Sequence, residues 1–253
     1  MKAAVLEAYH QPLAIRDAEI SQPGLGEVTV AVKAVGLCLT DVHISEGKIP
    51  TVKLPLITGH EFAGVIDKTG PGVKDFKTGD RVVVNIDVIC GRCDHCLRGE
   101  TNRCSNLIRI GFERNGGMAE YVNVPAINIE KISEKVPFEK AAIFPDAVAT
   151  TYRAMKTIGK VSAGTKVAIL GIGGLGMEGI LIGKLLGAHI TCTSRNEKSL
   201  KWQELWERIT SSTQLKRISL RRQGSTLAVM PLSLKRSRFW VPGLPIEVSF
   251  VRS

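Results

Sequence analysis

The chain has 253 residues, of which 44% are hydrophobic, so it can form one large domain or two modest ones with ordinary globular cores. Its amino terminus lacks an apolar run long enough for a signal peptide, and its most apolar stretch, residues 167–192, is interrupted by Glu178 and Lys184. We therefore expect no membrane span. The net charge of +10 is uneven, because residues 198–253 hold eleven Lys or Arg against three Glu.

Residues 1 to about 125 predict a small all-β domain with irregular connections. Residues 27–36, 80–88 and 118–124 alternate apolar and polar side chains with the period of a β-strand. Gly- and Pro-rich segments between them mark turns at short intervals.

From Pro137 the pattern becomes helical, and a βαβ unit follows. We predict a strand over 166–171, a glycine turn, a helix through Leu186 and a second strand over 189–194. The parallel sheet should continue beyond this point, but nothing after Ser194 resembles a continuation. The sequence thus predicts three parts: a largely β domain over 1–150, the opening of a βαβ domain over 151–200 and a basic tail over 201–253.

One short loop, "CGRCDHCLRGETNRC", carries the strongest local signal. Its cysteines, Cys90, Cys93, Cys96 and Cys104, offer four thiolates that satisfy tetrahedral zinc and leave no open position. The loop therefore predicts a structural zinc site, with four unrelated thiols as the alternative; His95 is expected to be a solvated loop residue. Clustered cysteines without a targeting signal favour a reducing cytoplasm.

A second, dispersed set of residues offers one sulfur, one nitrogen and one oxygen donor: Cys38, His60 and Asp146. Three protein ligands with a vacant fourth position suit a zinc ion that polarises an alcohol or water. Spacing alone leaves other interpretations open. His60 follows a glycine and can be a capping or core residue, and Asp146 follows a proline and can be a helix N-cap.

Four ordered motifs resemble the zinc-dependent alcohol dehydrogenases of the medium-chain dehydrogenase/reductase superfamily. They are "GLCLTDVH" (36–43), "GHEFAGVI" (59–66), the four-cysteine loop and "GIGGLG" (171–176). The resemblance covers residues 1 to about 200 and implies an α/β plus β fold, in which a GroES-like β-rich catalytic domain precedes an incomplete Rossmann-type doubly wound domain.

The resemblance also implies roles for single residues. It makes Cys38, His60 and Asp146 the ligands of a catalytic zinc, with Glu61 as an occasional alternative ligand; many relatives have Cys where this chain has Asp146. Thr40 and His43 resemble the family's proton relay, which carries the substrate hydroxyl proton outward. Asp41 fits a carboxylate that fixes the tautomer of His60. A helix N-cap pair is the other interpretation of residues 40 and 41.

The glycine turn "GIGGLG" places Gly171, Gly173, Gly174 and Gly176 after a predicted strand and before a predicted helix. This context supports a dinucleotide-binding turn whose helix N-terminus meets the pyrophosphate. The second strand ends in Ser194 and Arg195 rather than in an acidic residue. A small residue beside a guanidinium suits a 2′-phosphate, so NADP is favoured over NAD, unless Arg195 is simply solvated.

The basic tail does not resemble the family, whose members continue with a helix and a Leu-Gly-Ala-Asp turn into a third strand. Codons that encode "KWQELWERITSST" can, in a shifted frame, encode Val-Ala-x-x-Leu-Gly-Ala-Asp-Asn-Val-Ile-Asn-Ala, which resembles the missing continuation. We interpret the tail as the product of a frameshift near Lys201. A divergent extension that binds nucleic acid or membrane is the alternative.

The sequence therefore predicts a zinc alcohol dehydrogenase, in which hydride passes between an alcohol or aldehyde on the zinc and a nicotinamide. With one catalytic and one structural zinc expected, the chain is interpreted as an inactive or impaired fragment. Two hypotheses compete: a zinc-bearing module that binds nucleic acid through its tail, and a zinc-free quinone reductase of the same fold. The expected partner is a small alcohol or aldehyde rather than a membrane or nucleic acid. The homo-oligomer typical of the family is doubtful for this chain.

Overall fold

The computed structural model describes residues 1–193 and 229–231. The chain divides into two compact units, Met1–Thr150 and Thr151–Ser253. The predictions about Ser194, Arg195 and most of the basic tail concern residues outside the described ranges.

The first unit is built mainly from ten strands and a few short helices. The strands are β1 (Lys2–Leu6), β2 (Ala14–Asp17), β3 (Glu27–Gly36), β4 (Leu56–Ile57), β5 (Glu61–Thr69), β6 (Arg81–Val84), β7 (Asp87–Val88), β8 (Ile108–Arg109), β9 (Tyr121–Pro125) and β10 (Ile129–Lys131). The α-helices are α1 (Leu39–Ser45), α2 (Asp94–Leu97), α3 (Phe138–Ala141) and α4 (Ala149–Tyr152), which ends across the boundary between the units. Single 3₁₀ turns span Thr101–Arg103 and Ala126–Asn128, and a π-helical turn spans Phe144–Val148.

A five-stranded antiparallel sheet, in the order β10-β6-β5-β3-β9, carries the main core of this unit. Its alternating apolar residues, among them Val28, Val30 and Phe62, pack into one buried cluster. Two smaller sheets, β2-β1-β4 and β7-β8, are formed by strands that alternate along the chain with those of the main sheet. The strand predicted over residues 27–36 is confirmed as β3.

The other two strand predictions need adjustment. The segment 80–88 forms two strands, β6 and β7, because the Asn85 side chain accepts the backbone N–H of Asp87 at 3.0 Å and turns the chain between them. The segment 118–124 pairs regularly only as β9, from Tyr121 onward.

The second unit contains a π-helical turn (Arg153–Ile158), β11 (Lys166–Leu170), α5 (Gly174–Leu185), β12 (His189–Thr193) and β13 (Val229–Pro231). Strands β11 and β12 pair in parallel around α5, which confirms the predicted βαβ unit. No sequence pattern after Ser194 resembles a continuation of this sheet, yet β13 pairs antiparallel with the other edge of β11. An open strand edge offers unpaired N–H and C=O groups to any extended segment, whatever its side chains.

Across the described ranges, no helix combines the length and the apolar character needed to cross a bilayer.

Candidate active site and metal centres

Strands β3 and β5 bring together two of the segments singled out in the sequence. They pair antiparallel with Gly36, the last residue of β3, opposite Glu61, the first residue of β5. Cys38 follows the end of β3 and His60 precedes the start of β5, so both lie at the same end of the pair. A side chain at Gly36 would collide with the Glu61 carboxylate, so the glycine leaves room for that acid.

Gly59 holds the backbone turn that presents His60. Its φ is +90°, in the left-handed region that favours glycine, and a Cβ there would lie 2.7 Å from the Met118 side chain. The "GH" pair is therefore a geometric requirement of the turn as well as a chemical motif.

The π-helical turn adds Asp146 to this end of the sheet. One ligand atom from each of four residues lies within 4.8 Å of the others: Cys38, His60, Glu61 and Asp146. The imidazole Nε2 of His60 lies 3.3 Å from a carboxylate oxygen of Asp146, and its Nδ1 lies 3.4 Å from Asp41. Neither contact has hydrogen-bond geometry, so both imidazole nitrogens are buried without a hydrogen-bond partner in the described part of the chain.

The electrostatics of this cluster favour a cation. Burial by itself lowers the pKa of His60, but the close polar contacts with Asp146, Asp41 and the Cys38 sulfur outweigh it and raise that pKa to about 11. The neighbouring imidazole lowers the pKa of Cys38 against the effect of burial. Burial, aided by Asp146, raises the pKa of Glu61. A set of one sulfur, one nitrogen and carboxylate oxygens around an unsatisfied imidazole fits a zinc ion.

Helix α1 begins at this cluster and carries the residues that resemble a proton relay. The Asp41 carboxylate accepts the backbone N–H of Cys38 at 3.0 Å, which ties the helix start to the imidazole side of the site. The Thr40 hydroxyl oxygen lies 3.5 Å from the Cys38 sulfur. His43 stands three residues further along the same helix, one turn from Thr40.

The four cysteines of the loop also converge. The sulfur–sulfur distances are 4.0 Å between Cys90 and Cys96, 3.5 Å between Cys93 and Cys96, and 4.0 Å between Cys93 and Cys104. Four sulfurs at the Zn–S distance of a tetrahedral site are about 3.8 Å apart. The cluster therefore has the size of a Cys₄ zinc site.

The thiols of this cluster differ in pKa. Backbone N–H groups of Cys96 and Ser105 lower the pKa of the Cys93 thiol to about 5. Burial and the neighbouring thiols raise the pKa of Cys96 to about 12. A divalent cation among these sulfurs relieves the cost of the remaining deprotonations. His95 lies outside the cluster and pairs with Glu100 at 2.9 Å.

The glycine turn lies between β11 and α5. Gly171 has φ of 101°, and a Cβ at Gly176 would meet the Gly171 carbonyl, so this pair requires glycine for close packing of helix and strand. No atom of the described residues lies within 4 Å of a Cβ built at Gly173 or Gly174, which suits a backbone that approaches a phosphate.

Sequence reasoning missed one residue at the catalytic cluster. The Phe112 ring lies against the His60 imidazole, with 5.2 Å between ring centroids and 56° between the planes. No motif marks Phe112, because the contact depends on a turn that follows β8 and is remote in sequence from residue 60.

The β-rich unit holds a four-cysteine cluster and a mixed Cys/His/carboxylate cluster, and a βαβ unit with a glycine turn follows it in the chain. This combination is typical of the class of zinc-type medium-chain dehydrogenases. Residues 24–134 match the family model described as the alcohol dehydrogenase GroES-like domain. An alcohol dehydrogenase of Geobacillus stearothermophilus is 41% identical over 203 residues, which are 79% of this chain and 60% of that protein.

Solved structures agree with these sequence matches. A crystal structure of an NAD-dependent alcohol dehydrogenase superposes with a TM-score of 0.79 at 32% identity, over 86% of this chain and 63% of that one. The cobalt- and zinc-bound alcohol dehydrogenase of Pyrobaculum aerophilum gives a TM-score of 0.77 at 33% identity, over 85% and 65%. These matches support the predicted resemblance to zinc-type medium-chain alcohol dehydrogenases, and the predicted fold class is confirmed. The chain spans about three fifths of the length of these relatives.

Proposed function

We propose that this chain carries the catalytic domain of a zinc-dependent alcohol dehydrogenase that oxidises a small alcohol with a nicotinamide cofactor. The observation that carries the proposal is the convergence of Cys38, His60 and Asp146 around imidazole nitrogens that have no hydrogen-bond partner in the described residues. When bound, zinc supplies Lewis-acid polarisation of an alcohol oxygen, and a nicotinamide supplies hydride acceptance.

The protein residues have distinct parts in this proposal. Cys38, His60 and Asp146 hold the metal, and Asp41 orients His60 from the Nδ1 side. Glu61, buried and next to His60, is the alternative ligand. The Thr40 hydroxyl takes up the proton of the substrate hydroxyl as it gives up its own, and His43 accepts the relayed proton and passes it toward solvent. The four-cysteine cluster holds a second zinc that stabilises its loop.

The glycine turn holds the cofactor pyrophosphate at the start of α5 in this proposal. NADP is preferred because Ser194 and Arg195 suit a 2′-phosphate; this part rests on the sequence alone. The six cysteines, all of which lie in the described residues, form no disulfide, which supports a reducing compartment such as the cytoplasm.

We further infer that the 253-residue polypeptide by itself is inactive. In the described part of the second unit, the sheet consists of β12, β11 and the antiparallel β13. The nicotinamide half of a dinucleotide normally lies across the second half of a Rossmann sheet, so nothing described here would hold that ring within reach of the substrate. The basic tail is proposed to arise from a frameshift.

Metal analysis of the purified chain tests the proposal. About two zinc ions per chain supports the dehydrogenase, whereas none supports a zinc-free quinone reductase of the same fold. A salt-dependent affinity for DNA that disappears with the tail would instead support the nucleic-acid-binding module. Dehydrogenase activity is to be assayed with a frame-restored chain, with primary and secondary alcohols as substrates.

A further inference from the structure

The plane of the His60 imidazole poses a physical problem. A metal ligand of this kind must direct one nitrogen lone pair at the ion, so the ring has to be held at one rotation. Hydrogen bonds usually fix that rotation, but both nitrogens of His60 lack a hydrogen-bond partner in the described residues. The contact with Asp41 at 3.4 Å approaches Nδ1 without hydrogen-bond geometry, so side-chain packing has to contribute to the orientation of the ring.

Phe112 is placed to supply that packing. It is 5% exposed, and its ring meets the imidazole at 5.2 Å in a tilted arrangement that aromatic pairs favour. It also shares one buried cluster with Ile44 of α1, the helix that begins next to Cys38. A single side chain thus packs on the imidazole and in the cluster that anchors that helix.

The turn that carries Phe112 is pressed against the His60 segment. Gly111 has φ of +86°, and a Cβ there would lie 2.9 Å from the backbone of Gly59 and 3.1 Å from the His60 Cβ. The backbone N–H of Phe112 donates to the Arg109 carbonyl at 3.2 Å, which closes the turn. The position of the ring is therefore coupled to the backbone at residues 59 and 60.

A polar network also supports the Phe112 ring, through the side chain of Arg109. The Arg109 guanidinium lies 4.1 Å from the ring centroid. Arg109 donates two hydrogen bonds to Glu113, at 2.6 and 3.2 Å, and one to Thr51 at 3.0 Å. The Thr51 hydroxyl donates to Glu113 at 2.6 Å. A guanidinium with this many fixed partners is a rigid platform for the ring.

We propose that Phe112, held by Arg109, Glu113 and Thr51, is a positioning residue that sets the imidazole plane of His60 for metal binding. This inference rests on the proposed zinc site. Its effect is on the metal that Cys38, His60 and Asp146 hold, and it leaves the four-cysteine site untouched.

Cobalt titration of the full chain tests the proposal, because Co²⁺ reports the geometry of its site through visible absorption. Phe112→Leu keeps an apolar side chain and removes the ring; we expect Co²⁺ affinity at the Cys38 site to fall about tenfold or more, with altered absorption. Phe112→Tyr should restore both. Arg109→Lys, which loses the paired hydrogen bonds, should give an intermediate loss. Metal at the four-cysteine site should remain unchanged throughout.

Matched controls separate positioning from general damage. Phe76→Leu removes another ring that lies beneath a cation, Lys131; this ring is partly buried and packs against the core of the five-stranded sheet. Arg16→Lys disrupts another paired Arg–Glu contact, with Glu7. Neither should alter cobalt binding at the Cys38 site.

Wild-type affinity and spectrum in Phe112→Leu would overturn the inference while leaving the proposed function intact. If Phe112→Leu does not fold, the comparison of Arg109→Lys with Arg16→Lys decides: equal, unaltered spectra overturn the inference. A wild-type chain that binds metal only at the four cysteines overturns the proposed function and this inference together.

Discussion

His60 Nε2 lies 3.3 Å from a carboxylate oxygen of Asp146, yet the two groups do not form a hydrogen bond. The carboxylate comes from a π-helical turn and the imidazole from the residue before β5. Buried or partly buried polar groups normally have a bonding partner. Two such groups that lie close together without a bond between them fit a ligand that binds both. The proposed zinc ion would satisfy both at once.

Removal of this carboxylate should remove one metal ion. Asp146→Ala should lower the zinc content of the purified chain from about two to about one per molecule, because Cys38 and His60 then keep only Glu61, whose raised pKa makes it the weaker anionic donor. Asp146→Cys, which replaces one anionic donor by another, should retain two. Zinc is measured by mass spectrometry against protein concentration, and Asp17→Ala, at an exposed Asp, is the control. Two tightly held zinc ions in both Asp146→Ala and the double variant Asp146→Ala/Glu61→Gln would exclude Asp146 as a ligand.

The four-cysteine site should lose its metal independently. Cys96→Ser removes one of four thiolates, and we expect the loss of about one zinc per chain and a destabilised loop. Cys192→Ser, which changes a cysteine of the second unit, should keep the full zinc content. An unchanged zinc content in Cys96→Ser would show that this loop does not hold metal.

Acid should weaken one ion pair at the edge of the main sheet. Arg114 donates to Glu27 at 2.7 Å, and this hydrogen bond lowers the pKa of Glu27 below its ordinary value of 4.5. A carboxylate with a lowered folded-state pKa adds stability above its unfolded-state pKa and loses it as the pH falls through the folded-state value. Glu27→Gln should therefore cost about 1 kcal/mol at neutral pH and progressively less below about pH 4.5.

Urea unfolding of Glu27→Gln and of wild type across this pH range measures the effect. Glu19→Gln, at an exposed carboxylate, should show no such pH-dependent difference. A difference between wild type and Glu27→Gln that stays constant down to the lowest pH would contradict the assignment.

Cofactor preference should depend on residue 194 in a frame-restored chain. Ser194→Asp places a carboxylate where the sequence predicts the 2′-phosphate, so preference should move toward NAD by charge repulsion. The ratio of kcat/KM for NAD and NADP is the measurement, and Ser194→Asn is the uncharged control. If both variants keep the wild-type ratio, Ser194 is not at the ribose.

The frameshift interpretation has a direct test. Insertion or deletion of one or two bases near codon 201 should open a longer reading frame whose product oxidises alcohols, whereas the 253-residue chain should bind zinc but not turn over. The nucleotide sequence around that codon is the first measurement. Robust cofactor-dependent alcohol oxidation by the purified 253-residue chain would refute both the inactivity and the frameshift.

Much of the architecture could be predicted from sequence because it depends on local patterns. Period-2 alternation predicted β3, and a buried strand, glycine turn and apolar helix predicted the βαβ unit of β11, α5 and β12. The four cysteines lie in one loop, so their spacing alone predicted that they converge. Local sequence is sufficient in these cases since the interacting groups are neighbours along the chain.

Other features were decided only in three dimensions. The sequence marks Cys38, His60 and Asp146 as possible donors, but the antiparallel register of β3 and β5 and the π-helical turn bring them within 4.8 Å. Phe112 carries no motif, and β13 pairs through its backbone with an edge that no side-chain pattern identifies. Contacts between segments remote in the chain depend on strand register and packing, which a single sequence specifies only through the whole fold.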